Sequence, residues 1–81
     1  MLRTTFFEED GYLLYCMATH LGNGEWESSV IFERKSDQDS SIIPSIRHIT
    51  REIRFQSESD AIARAYQHGL ELIQTNKVGL D

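Results

Sequence analysis

Residues 47–55, RHITREIRF, place three arginines and one histidine in a chain whose formal net charge is −5. Clustered basic side chains can bind the phosphates of nucleic acids, so this segment is a candidate nucleic-acid-binding strand. The candidate contacts are Arg47, His48, Arg51 and Arg54. The segment carries +2, three arginines less one glutamate, which leaves −7 on the rest of the chain. A field of that sign repels nucleic acid unless the positive charge is gathered on one face.

Alternation along a strand predicts that these basic residues are split between two faces. Five residues share the face that we expect to meet a helix: Arg47, Ile49, Arg51, Ile53 and Phe55. Four share the other: His48, Thr50, Glu52 and Arg54. Charged edge strands discourage pairing with other chains, and we interpret the segment as such an edge. Nucleic-acid binding through it is the alternative.

Catalysis would need a nucleophile close to a general base, or a base oriented by a neighbouring carboxylate. His20 and Glu27 are predicted cross-strand neighbours, and a histidine–carboxylate pair can orient a general base. The single cysteine, Cys16, lies four residues from His20, about 13 Å along a strand, which is too far for a Cys–His couple. The cysteine and the three histidines have no metal-ligand spacing. We therefore expect no catalytic residue, no metal and no cofactor.

Two turn signals organise the first half of the chain. Asp10-Gly11 and Asn23-Gly24 are favoured two-residue hairpin turns, and the segments around them are rich in aromatic and β-branched residues. They predict strands at about 2–8, 12–21 and 25–35. A loop at 36–45, interrupted by Pro44, precedes a fourth strand at 46–55.

A helix is predicted at about 58–75. Ser57 is a suitable N-cap, and Asp60 at the third helical position completes a variant of the capping box. An apolar stripe repeats at three- and four-residue steps: Ile62, Ala65, Tyr66, Gly69 and Ile73. Gly69 within this stripe predicts a close approach of the helix to the sheet. The last seven residues, 75–81, are expected to fray.

The predicted fold class is α+β: a four-stranded antiparallel meander, β-β-β-β-α, with one C-terminal helix packed on one face. The 81 residues make a single domain, 1–81. No apolar run approaches the ~20 residues that span a bilayer, and the N-terminus has no signal-peptide pattern. With only one cysteine, a reducing cytoplasm is the expected compartment.

The run Phe55-x-Ser57-x-x-Asp60-Ala61-x-x-x-Ala65-x-x-x-Gly69-x-x-x-Ile73 resembles the closing strand and helix of small bacterial ββββα proteins, most of them of unknown function. The resemblance covers about 20 of the 81 residues, mainly capping and packing positions. It implies this fold in a bacterial cytoplasm and assigns no functional residue.

The Asn23-Gly24 turn, if it closes a two-residue loop without a bulge, sets the register of the second hairpin. Tyr15 then pairs with Phe32 and Met17 with Val30 on the core face. The Asp10-Gly11 turn likewise pairs Phe6 with Tyr15 on the core face and Phe7 with Leu14 on the other. The opposite face receives an apolar patch with two rim residues: Phe7, Leu14, Cys16, Ala18 and Ile31, with His20 and Glu27. One helix covers one face only, and an uncovered apolar patch commonly marks a partner surface.

This patch makes a protein-binding or homodimerising module the leading prediction. Two alternatives stay open. In the first, the N-terminal strand or the loop, through Ile42 and Ile43, covers the patch. In the second, the register of the hairpin differs from the predicted one.

Overall fold

The computed structural model describes residues 2–80, with side chains at 4–50 and 54–80. Four strands form one antiparallel sheet in the order β1-β2-β3-β4, and a single helix follows them. The elements are β1 Leu2–Glu9, β2 Tyr12–Gly22, β3 Glu25–Arg34, β4 Ser45–Phe55 and α1 Glu58–Gln74. The predicted α+β meander is confirmed, and each strand and the helix start and end within one residue of the predicted bounds. The predicted loop begins with a 3₁₀ turn, Lys35–Asp37.

Both predicted hairpin turns are present. Asn23 and Gly24 take φ of 54° and 74°, the left-handed conformation that a type I′ turn requires at both central residues. The Asp10-Gly11 turn is alike. In the first hairpin the predicted register is confirmed: Phe6 pairs with Tyr15, and Phe7 with Leu14.

The predicted register of the second hairpin is wrong by one residue. Gly22 pairs with Glu25 as the turn dictates, but His20 pairs with Trp26, so Leu21 is an extra residue in β2. Gly22 takes φ of 89°, which glycine adopts without steric cost, and this lets the strand bulge. Every pair beyond the bulge is shifted by one.

The slip exchanges the two faces of β1 and β2 relative to β3, since alternate residues point in opposite directions. Leu14 pairs with Phe32, and Cys16 with Val30, on the face that the helix covers. Tyr15 and Met17, predicted for the core face, lie on the opposite one.

A larger irregularity lies in β4. Trp26 pairs with Phe55, whereas Ser28, two residues further along β3, pairs with Thr50, five residues back along β4. β4 therefore holds three extra residues in this interval. Phe55 packs against the core as predicted, but Ile49 is on the uncovered face, because the bulge resets the alternation. The predicted side-chain positions of residues 51–53 fall outside the described side chains.

The helix lies close to the sheet because its contact stripe is small. Ala61, Ala65 and Gly69 recur at every fourth residue, and all three are buried. A Cβ on Gly69 would lie 2.6 Å from Leu14 Cδ2 and 3.5 Å from Phe32 Cζ. The prediction of a close approach at Gly69 is thus confirmed.

Ser28 joins the two layers at the opposite end of the helix. The Ser28 hydroxyl, fully buried in β3, donates to the Ala61 carbonyl at 2.7 Å. The Thr50 hydroxyl donates to the Ser28 carbonyl at 3.0 Å. As predicted, the Ser57 side chain caps the helix by accepting from the Asp60 N–H at 3.2 Å. The Ser28–Ala61 bond fixes the start of the helix over β3, and the Thr50 bond ties β4 to the same residue of β3.

The segment after the helix is ordered against the core, so the prediction that it frays is wrong for residues 75–80. Asn76 takes φ of 57°, and the Lys77 N–H donates to the Leu72 carbonyl at 2.8 Å, closing a Schellman motif. This turn returns the chain toward the sheet. Val78 is only 3% exposed, and Leu80 packs against the same core.

Gly69→Ala should destabilise the protein by about 1–3 kcal/mol, because the added methyl overpacks Leu14. Alanine stabilises a helix by about 1 kcal/mol relative to glycine, so the same substitution at a position with free space would raise the stability of the protein. Urea unfolding measures the change. In a Leu14→Val background, where the clashing methyl is withdrawn, the same substitution should cost less. A rise in stability on the wild-type background would contradict the close approach.

Candidate functional site

Four residues of the predicted interface lie on the face that the helix covers. Leu14, Cys16 and Ala18 are 0% exposed and belong to the core. The Phe7 ring packs on the Tyr66 ring of the helix, with centroids 4.2 Å apart. Their predicted exposure is wrong, and the bulge at Leu21 is the reason.

The predicted His20–Glu27 pair does not form. His20 pairs with Trp26, whose ring centroid lies 4.8 Å from the imidazole, and Glu27 pairs with Thr19 on the opposite face. The geometric basis for a histidine–carboxylate base is therefore missing. Of the predicted interface, Ile31 and Glu27 do lie on the face without the helix.

The sheet face opposite the helix, called here the uncovered face, has an apolar centre. Cross-strand pairing places Phe6, Tyr15 and Ile31 in one row, and Met17 and Ile49 in the next. Phe6 is 52% exposed, and the other four are half-buried. The Phe6 and Tyr15 rings are in contact, with centroids 5.3 Å apart.

The charged groups around this centre are held in pairs. Arg47 reaches Glu27 at 3.5 Å and also donates to the Ser29 hydroxyl at 3.4 Å. Lys35 forms an ion pair with Glu8 at 2.8 Å. Leu13, in the same row as Glu8, is only 7% exposed. Exposed pairs of this kind contribute about 0–1 kcal/mol each, so their main effect is on surface charge.

Tyr15 adds a polar contact within the apolar centre. Its hydroxyl donates to Glu33 Oε1 at 3.2 Å. Burial raises the pKa of Tyr15, and the neighbouring Glu33 carboxylate raises it further. The phenol therefore stays neutral and holds its hydrogen.

The loop between β3 and β4 leaves its two large apolar side chains in solvent. Ile42 is 82% exposed and Ile43 is 36% exposed. The open alternative, in which they cover an apolar sheet face, is wrong for Ile42.

The described basic side chains of β4 lie on different faces of the sheet, and each contacts a partner within the protein. Arg47 lies on the uncovered face with Glu27, and Arg54 forms an ion pair with Glu25 at 3.1 Å. His48 lies on the helix side, half-buried, with Nε2 at 2.8 Å from the Val78 carbonyl. The Arg51 side chain is outside the described set. These contacts do not gather the basic groups into one phosphate-binding stripe.

His48 and His68 bring two imidazoles together, with ring centroids 6.4 Å apart. No group of three or more His, Cys, Asp or Glu suited to a metal ion occurs among the residues that the structure describes. Within the same part of the chain, no helix is both long and apolar enough to cross a membrane.

Cys16, the single thiol, is buried beneath the helix. Burial raises its pKa to about 12. A thiolate is the reactive form of cysteine, so this side chain acts as a small apolar group of the core. Nearby, the Tyr66 hydroxyl donates to Glu9 at 2.6 Å, and this hydrogen bond raises the pKa of Tyr66.

No protein-family profile, curated protein sequence or solved structure matches this chain.

The uncovered face includes residues that the sequence analysis placed in the core, chiefly Phe6, Tyr15 and Met17. The signal that identifies them is Gly22, directly before the Asn23-Gly24 turn. An isolated glycine at the end of a strand pattern indicates a bulge, and one extra residue exchanges the faces.

Cys16 should make folding stability fall as the pH rises above about 9. In that range the unfolded chain releases the thiol proton while the folded protein keeps it. Ionisation therefore stabilises the unfolded state and lowers the free energy of unfolding. Comparing the wild type with Cys16→Ala isolates this effect. Between pH 9 and 10.5, the wild type should lose up to about 1.4 kcal/mol more per pH unit in urea unfolding. Parallel slopes would contradict the buried, neutral thiol.

Proposed function

We propose that this protein is a non-enzymatic binding module of the bacterial cytoplasm that forms a homodimer through its uncovered sheet face. The observation that carries the proposal is the apolar centre of that face, where a half-exposed Phe6 ring lies beside Tyr15, Ile31 and Met17. The core between the sheet and the helix needs only one apolar sheet face, so folding does not explain a second apolar face. Contiguous exposed apolar surface of this kind is typical of protein contacts.

The size of the face suits a second copy of the chain. The molecule is a slab of 40 × 27 × 16 Å, so one broad side is free of the helix. Stable interfaces take about 800 Å² from each partner, which is comparable with such a side. Two sheets stack face to face at a separation of about 10 Å, with their side chains interleaved.

The charge on the face also favours a second copy. Although the chain carries −5, the described charges at the uncovered face nearly balance. Three ion pairs join Arg47 to Glu27, Lys35 to Glu8 and Arg54 to Glu25. Two copies can therefore approach through these faces with little repulsion. A twofold dimer is also the commonest soluble oligomer.

Ile31→Asp should abolish association through the uncovered face, with a loss of at least about a hundredfold in the affinity of that contact, because the twofold axis buries two uncompensated carboxylates. Ile31→Thr keeps a β-branched residue and should weaken the dimer less. Light scattering during size-exclusion chromatography gives the assembly mass over a concentration series. Thermal unfolding confirms that each variant is folded.

Ile42→Asp is the matched control, since it introduces the same charge at an isoleucine that the structure leaves in solvent. It should leave the mass unchanged. A wild-type monomer at all concentrations, or an Ile31→Asp variant that associates as the wild type does, would exclude this interface.

A further inference from the structure

The two edges of the sheet differ in how they are protected against pairing. β4 contains the three-residue irregularity and exposed arginines, and the chain after the helix approaches its flank where His48 contacts the Val78 carbonyl. Bulges, edge charges and covering segments are the usual devices that prevent strand addition. β4 is therefore a closed edge.

β1 has no bulge, and its charged residues lie only near its two ends. All eight of its residues pair with β2 in one continuous register, and the four central residues, Thr4–Phe7, are uncharged. No described strand pairs with its outer side. Such an uninterrupted edge is a template for another strand.

The turn determines which backbone groups face that open side. In a two-residue hairpin the flanking pair, Glu9 and Tyr12, exchanges both backbone hydrogen bonds, and bonded pairs then alternate along the ladder. The N–H and C=O groups of Glu9, Phe7 and Thr5 thus point to β2. Those of Glu8, Phe6 and Thr4 point outward, where a further strand could bind them.

We propose that β1 binds β1 of a second copy in antiparallel orientation, centred on Phe6, to form a continuous eight-stranded sheet. The twofold axis is then perpendicular to the sheet, and both helices lie on the same side. Phe6 pairs with Phe6 of the second copy, Thr4 with Glu8, and Thr5 with Phe7. In this arrangement the outward-facing backbone groups of the two strands bind each other. It also covers the Phe6 ring, which is 52% exposed.

Charge complementarity selects the second copy as the occupant. β1 carries a basic residue, Arg3, at its second position and ends with two acids, Glu8 and Glu9. Antiparallel self-pairing brings the basic end of one strand beside the acidic end of the other, with Arg3 opposite Glu9. Centring on Thr5 instead would place Arg3 opposite Phe7, and thus a charge opposite an apolar side chain.

This edge contact goes beyond the proposed face contact, and each can fail alone. The face stacks two sheets about an axis in the sheet plane, whereas the edge extends one sheet about an axis perpendicular to it. If both form, the closed assembly is a tetramer with three mutually perpendicular twofold axes, a common symmetry for soluble proteins.

Backbone amide hydrogen exchange, followed by NMR on the full chain at high and low concentration, tests the edge contact. In the concentrated sample we expect the Thr4, Phe6 and Glu8 amides to be protected, and dilution should release them. The Thr5, Phe7 and Glu9 amides should stay protected at both concentrations, because they bond to β2. If Thr4, Phe6 and Glu8 exchange at the same fast rate at both concentrations, the edge is open and the proposal fails.

Thr4→Pro is the matching variant, since proline removes only an outward N–H and is tolerated at strand edges. It should weaken the edge contact about thirtyfold, because two backbone hydrogen bonds are lost across the twofold axis. Thr4→Val keeps the N–H and should leave the affinity unchanged. Equal affinities for the two variants would overturn the proposal.

The face variant separates the two contacts. Ile31→Asp should lose face stacking and keep the concentration-dependent protection of the outward β1 amides. Loss of that protection in Ile31→Asp would show that the face alone holds the copies together, and the edge contact would be rejected. Should Thr4→Pro not fold, the wild-type exchange pattern decides alone.

Discussion

The close approach of the helix to the sheet at Gly69 is the constraint on which the rest of the structure depends. The absent side chain leaves room for Leu14, and the Ala61–Ser28 hydrogen bond fixes the other end of the helix. Small residues at both points let backbone and core side chains meet at high packing density. The helix can occupy this position only over the face that carries Leu14, Val30 and Phe32, so it decides which face is the core.

The sequence identifies the elements of this fold better than it identifies its faces. Turn residues, the Ser57 cap and the helical stripe are local signals, and the strands and helix follow from them within one residue. The assignment of residues to faces depends on whether the number of residues between two positions is odd or even. One extra residue, Leu21, therefore exchanges the buried and exposed faces of β2 relative to β3. For this reason Leu14, Cys16 and Ala18 were predicted outside and are buried. Val78 was missed because its burial depends on a tertiary contact, after a Schellman turn formed without glycine.

What remains exposed follows from the same arrangement. One helix covers one face, and the bulge leaves Phe6 and Tyr15 beside Ile31 on the other. The edges differ because β4 is irregular and flanked by the C-terminal segment, whereas β1 is regular and open. Both proposed contacts are thus consequences of how an 81-residue chain distributes a single helix over four strands. The buried thiol and the separated His20 and Glu27 give no comparable support to catalysis.

In the proposed dimer, a second copy buries the face opposite the helix. Methyl NMR with a soluble paramagnetic probe tests this most directly, since the probe attenuates only methyl groups that it can approach. Ile31 and Met17 should be shielded in concentrated solution and lose that shielding on dilution, while Ile42 is attenuated throughout. If Ile31 and Met17 are attenuated as strongly as Ile42 at every concentration, the face is open to solvent and the account is contradicted.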